Sequence, residues 1–129
     1  MKSLDRQTIF NSYPNPQPME EAEITILLTA AIVQRRKINL QMQDTADENF
    51  ILFQPHCIVT DSVENRYEVF GYVERHYAHD QMMYAKIAQF RGIKTITLLD
   101  DTFEPVPDWR TALGRFVPHK DEQVPIDDL

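Results

Sequence analysis

The chain has 129 residues, with 13 Lys+Arg against 20 Asp+Glu and a net charge of -7. That length suits one domain, because a second core would leave both halves marginal; 43% hydrophobic and 26% charged residues exclude wholesale disorder and a fibrous repeat. A single cysteine, Cys57, excludes an intramolecular disulfide and a cysteine-built zinc ribbon.

The first 18 residues read as an extended N-terminal arm, since Pro14, Pro16 and Pro18 remove backbone donors and hold an extended path. They lack the apolar stretch of a signal peptide, and no apolar run in the chain reaches the roughly 20 residues needed to cross a bilayer. A cytoplasmic location without membrane attachment is expected. The folded domain is expected over residues 19–117. From Met19 the apolar residues Ile24, Leu27, Leu28, Ala31 and Ile32 fall on one helical face. Glu20, Glu21 and Glu23 at the start and Arg35, Arg36 and Lys37 at the end match the macrodipole of such a helix.

After Lys37 the period falls to two, and Ile38, Leu40 and Met42 alternate with polar neighbours as in a half-buried strand. Asp44 to Asn49 reads as a turn. Phe50 to Phe53 and Cys57 to Thr60 flank Pro55, so a bent or bulged strand is expected there. Beyond the turn at Asp61 to Asn65, strands are expected over Tyr67–Glu74, Met82–Ala88 and Ile93–Leu99, with a loop from Arg75 to Gln81. Trp109, Ala112, Leu113 and Phe116 return to helical spacing and predict a short closing helix on the sheet. Splitting the charge gives -1 for residues 1–22, -3 for 23–117 and -3 for 118–129. The last segment, PHKDEQVPIDDL, reads as an acidic flexible tail outside the core. The expected fold is mainly β with flanking helices: a small, strongly bent five-stranded barrel, an N-terminal helix and a short C-terminal helix.

Few residues suggest catalysis. His76 and His79 are three apart beside Asp80, but without HExxH or a second ligand cluster they read as a solvated hairpin loop, and no metal is expected. His56 and Cys57 are adjacent, which in a strand sends them to opposite faces instead of pairing nucleophile with base. Cys57 reads as a half-buried cysteine packing as a small hydrophobe. Asp100 and Asp101 read as a turn after a strand. Three scattered glycines cannot build a phosphate-cradling loop. Neither an enzymatic activity nor a cofactor is expected. The only basic run, Arg35 to Lys37, reads as a solvated helix end. Strand aromatics Tyr67, Phe70, Tyr72, Tyr84 and Phe90 can either stack bases or pack as cross-strand partners.

Taken in order, ILLTAAIVQRRKINLQMQ, ENFILFQPHCIV, RYEVFGYVER and MMYAKIAQFRGIKTITLLDDTFEPVPDW resemble the WYL domain of prokaryotic transcriptional regulators over roughly residues 24–109. The most specific pieces are Gly71-Tyr72 and the stretch Leu99 to Pro105. Aligning Gly71 puts Tyr67, Glu68 and Val69 at the Trp, Tyr and Leu positions. Lys86 stands at the first arginine of the following strand, and Ala88 and Gln89 replace its Asp and second Arg.

The resemblance implies an SH3/Sm-like barrel that senses a ligand, often nucleic acid or a charged small molecule, and signals to an attached helix-turn-helix domain. Residues 1–22 are too short to be that domain, so action through a partner protein is expected. The site implied comprises Lys86 with Arg36 or Arg66 for an anionic ligand such as a nucleotide or single-stranded nucleic acid, Tyr67 and Tyr84 as stacking faces, and Glu68 and Gln89 at the altered positions. A carboxylate at Glu68 repels phosphate unless it pairs with Lys86, which would leave the pocket vestigial. The alternative is a protein interaction module, binding a partner or a second copy through a strand edge or the closing helix.

Overall fold

The computed structural model describes residues 19–43, 50–61, 63–77, 80–116 and 120–127. The arm at 1–18, the turn at 44–49 and the side chains of His76 and His79 lie outside the described residues.

Helix α1 spans Glu21–Gln34 and buries Ile24, Leu28, Ala31 and Ile32, the stripe that the spacing predicts. Its outer side is apolar as well, with Ile26 and Val33 exposed. The helix stops earlier than the basic run suggests. Arg35 takes the left-handed conformation at φ 54, and its N–H donates to the carbonyls of Ala31 and Ile32. A non-glycine residue in that region costs on the order of 1 kcal/mol. The guanidinium helps offset this by donating to the carbonyl of Asp127 at 2.7 Å and to Glu104 at 3.4 Å. Arg36 and Lys37 are already in a strand. The basic run is thus not a solvated helix end: Arg36 donates to the Leu99 carbonyl at 2.7 Å, and Lys37 meets Glu74 at 2.9 Å.

Six strands follow: β1 Arg36–Met42, β2 Ile51–Asp61, β3 Arg66–Tyr77, β4 Asp80–Gln89, β5 Ile93–Thr102 and β6 Lys120–Pro125. They form one antiparallel sheet in the order β4-β3-β2-β1-β5, with β6 also on β2. The sheet is not closed, since its end strands β4 and β5 are not paired with each other among the described residues. Asp100 and Asp101 continue β5 instead of forming a turn, because β1 pairs with it as far as Arg36 opposite Thr102. The Arg75–Gln81 loop is shorter than expected, since β3 runs on to Tyr77 and β4 begins at Asp80. The 61–65 turn forms as expected: the Asp61 carboxylate accepts the Val63 N–H at 2.8 Å, and Asn65 sits at φ 55.

Strand β2 organises the fold. Its first half pairs with β1 at Ile51 to Phe53, and its second half pairs with β6 at Cys57 to Asp61. The change falls at a bulge: Pro55 opposes Gly71 and Cys57 opposes Phe70, leaving His56 as the extra residue. Pro55 has no N–H to give to a ladder, so a partner change at this point wastes no donor.

The sixth strand comes from the segment read as a flexible acidic tail. Once β1 leaves, the edge of β2 at buried Cys57, Ile58 and Val59 would lie open; Val124 pairs with Ile58, and Ile126 is buried in the core. Asp121 and Glu122 stay at the surface. An acidic composition and an ordered edge strand are compatible because the strand is held by backbone pairing to β2, with Val124 and Ile126 supplying its apolar anchors.

Register divides the sheet into two faces. Ile38, Leu40, Phe53, Ile58, Val69, Val73, Ala88 and Ile96 share one face and join the α1 stripe in a single core. The other face carries Phe70 and Tyr72 and receives helix α2, Trp109–Phe116. The Trp109 ring stacks on Phe70 at 6.4 Å, and Phe116 meets it edge-on at 5.7 Å. This is the closing helix that the spacing predicts. Among the described residues no helix is long and apolar enough to cross a membrane.

Candidate functional site

The β3–β4 hairpin decides which of the sequence-predicted site residues meet. Residues directly opposite one another in an antiparallel pair project to the same face. Glu68 opposes Gln89, Gly71 opposes Lys86 and Val73 opposes Tyr84. Lys86 lies three residues from Gln89 along β4, so Lys86 and Glu68 project to opposite faces and the anticipated ion pair between them does not form. Tyr67, Tyr84 and Lys86 share one face, while Glu68 and Gln89 share the other. Arg36 lies on β1, three strands from β4, and is committed to Leu99 and Asp100. Arg66 is paired with Glu64 at 2.9 Å.

Distance splits the remaining trio. Tyr67 and Val73, the partner of Tyr84, are six residues apart along β3, or about 20 Å at the rise of an extended chain. One base cannot lie between them. Tyr67 instead stacks on Phe90 at 5.7 Å. Tyr84 has Arg75 over its ring at 5.5 Å, and its hydroxyl accepts an Arg75 N–H at 3.1 Å. Lys86 sits beside it on the same face, opposite the bare backbone of Gly71. The aromatic set is divided too, because Phe70 and Tyr72 are on the α2 side.

The structure also gathers polar groups that the sequence does not single out. Glu74 is almost wholly buried on the α2 side of the sheet, where Lys37 lies at 2.9 Å and the Gln54 amide donates to it at 2.8 Å. Gln41, also buried, accepts from Thr95 at 3.1 Å. In β1 the polar half of the alternating pattern therefore faces this network. Removing Lys37 would strand a buried carboxylate, the costly way to break such a pair.

His56 is fully buried, and backbone groups occupy both of its ring nitrogens. Nε2 accepts the Val106 N–H at 3.0 Å, so Nδ1 carries the proton and donates to the Gln54 carbonyl at 2.9 Å. The ring stacks on Phe103 at 5.2 Å and meets Tyr72 and Trp109 edge-on. The residue thus ties the β2 bulge to the segment leading into α2. Its neighbour Cys57 is fully buried, more so than expected. Burial, and next the Glu122 carboxylate, push the thiol from an ordinary 9.0 up to about 12, with Arg110 opposing. Such a thiol is not a nucleophile at neutral pH. Among the described residues no group of three or more His, Cys, Asp or Glu could hold a metal ion.

The feature that sequence reading missed lies on β4. Met82, Met83 and Tyr84 are 56%, 44% and 42% exposed, three consecutive residues covering both faces of a strand that pairs only with β3 among the described residues. A signal was present, since Met-Met-Tyr breaks the alternation that a half-buried strand would show. No family model, curated protein or solved structure matches the chain.

Proposed function

We propose that this chain is a protein interaction module that receives an extended partner segment along β4, with the WYL-like ligand pocket vestigial. One observation carries the reading: a ten-residue edge strand presents Met82, Met83 and Tyr84 together at the surface. A long edge without proline or bulge offers a row of backbone donors and acceptors to another strand. Strand addition draws affinity from that row and selectivity from side chains on both faces, where flexible methionines adapt to varied partners. The expected pocket residues are not gathered, which supports the vestigial reading: Tyr67 and Tyr84 are about 20 Å apart along the hairpin and Arg36 is engaged by Leu99 and Asp100. On this reading the sheet is a divergent, opened form of the SH3/Sm-like barrel.

A photo-crosslinking methionine analogue placed at position 82 or 83 tests this in the cells of origin. Crosslinks should concentrate on one extended segment of one protein, or of a second copy, and should be lost in Met82→Lys. Crosslinks scattered over many proteins would refute strand addition.

A second reading has its own observation: Tyr84, Lys86 and Arg75 share a face and suit an anion with a stacking ring. Fluorescence titration with short single-stranded DNA and RNA at low salt separates the two. Micromolar affinity abolished by Lys86→Glu would favour the ligand; no binding would leave the edge-strand reading standing.

A further inference from the structure

On the α2 side of the sheet a cleft of about 290 Å³ is lined by Tyr72, Pro107, Asp108, Thr111, Ala112 and Arg115. It shares Pro107, Asp108 and Thr111 with a cleft of about 440 Å³ that continues along residues 105–111 past Trp109. Asp108, Thr111, Ala112 and Arg115 follow the i, i+3, i+4, i+7 spacing of one helical face. Asp108 and Arg115, at the two ends of that face, both line the cleft.

Tyr72 forms the floor. Its ring is held edge-on by His56 at 5.0 Å and by Phe70 at 5.6 Å, and the residue is only 8% exposed. Its hydroxyl has no hydrogen-bond partner among the described residues and is not itself buried, so it is accessible at the cleft that Tyr72 lines. Burial raises its pKa, so it stays a proton donor at neutral pH. Neither Arg115 nor the Asp108 carboxylate has an ion-pair partner among the described residues. Asp108 takes the left-handed conformation at φ 61 in the turn that leads into α2, which Asp tolerates better than most residues.

A simple anion suits Arg115 and Tyr72 but meets the Asp108 carboxylate; a simple cation meets Arg115. A molecule carrying both charges satisfies all three groups. We infer that this cleft binds a free amino acid, its carboxylate on Arg115 and the Tyr72 hydroxyl, its ammonium on Asp108, and its side chain along Pro107 toward the larger cleft. The site is separate from the β4 edge and does not depend on the reading of that edge.

Calorimetry with a panel of L-amino acids, each also as its N-acetyl and methyl-ester form, tests the assignment, and emission from Trp109, the single tryptophan beside the cleft, gives a second readout. At least one free amino acid should bind with micromolar to low millimolar affinity, and blocking either end should abolish binding. Tyr72→Phe keeps the ring and should weaken binding about tenfold, the worth of one hydrogen bond; Arg115→Gln and Asp108→Asn should each weaken it at least as much. The latter two positions are exposed, and Asn accepts the left-handed conformation, so both variants keep the test valid if Tyr72→Phe misfolds. No binding by any free amino acid, or equal binding of the blocked forms, would overturn the inference.

Discussion

Gly71 and His56 show how single residues hold the sheet together. A Cβ at Gly71 would press on the backbone oxygen of Gln54 and lie 2.7 Å from the Phe53 ring, so the β2–β3 approach depends on its absence. Gly71→Ala should therefore cost about 3 kcal/mol through overpacking against backbone, read as a lower urea midpoint at unchanged m-value. His56→Phe keeps the aromatic stack but leaves the Val106 N–H and the Gln54 carbonyl without their partner. The expected loss is about 2 to 4 kcal/mol, from the desolvation of two backbone groups. Local loosening of residues 103–109 should accompany it as faster amide exchange at Val106. His56 also shows what residue type alone cannot tell. Beside a cysteine it suggests chemistry, yet backbone groups occupy both ring nitrogens.

At the scale of elements, α1 and α2 were legible because a helical period is local and their apolar stripes are intact. Strands β1 to β5 were legible too, within a few residues, although alternation does not say where pairing stops. The basic run and the acidic tail were misread for a common reason: charge density was taken as a sign of solvation. Arg35 and Lys37 make structural contacts through their heads, and Asp121 and Glu122 stay exposed on a strand that pairs with β2 through its backbone. The tail should then contribute measurably to stability. Ile126→Ala is expected to cost about 2 to 4 kcal/mol, as for other buried large-to-small changes, and thermal denaturation would show it. Ile126→Val, smaller by one methylene, should cost about 1 kcal/mol. An equal effect of the two variants would contradict a packed position.

For the whole molecule, the buried thiol gives stability a pH dependence whose sign can be derived. Cys57 titrates near 9.0 when exposed in the unfolded chain and near 12 when folded. Above about pH 9 the unfolded state therefore holds fewer protons than the native state. The thiol's contribution is complete below pH 9 and is lost as the pH rises toward 12, by about 1.4 kcal/mol per pH unit. Tyr72, also raised by burial, acts in the same direction. The difference in unfolding free energy between the natural protein and Cys57→Ala should change with that slope above pH 9 and stay flat below it. A thiol reagent at pH 8 should label Cys57 only as fast as the protein unfolds.

The sequence by itself determined the mainly β composition of the fold, the buried stripe of α1, the closing helix and the broken strand around Pro55, because each depends on a period or a breaker that a few neighbouring residues define. Only the tertiary structure decided that β2 changes partner at His56, that residues 120–125 close its open edge, and that Lys86 and Glu68 face opposite ways. The physical reason is the period of two in a strand. Alternation shows that a residue has a face, but which other strand shares that face depends on register across a hairpin, and a shift of one residue reverses it.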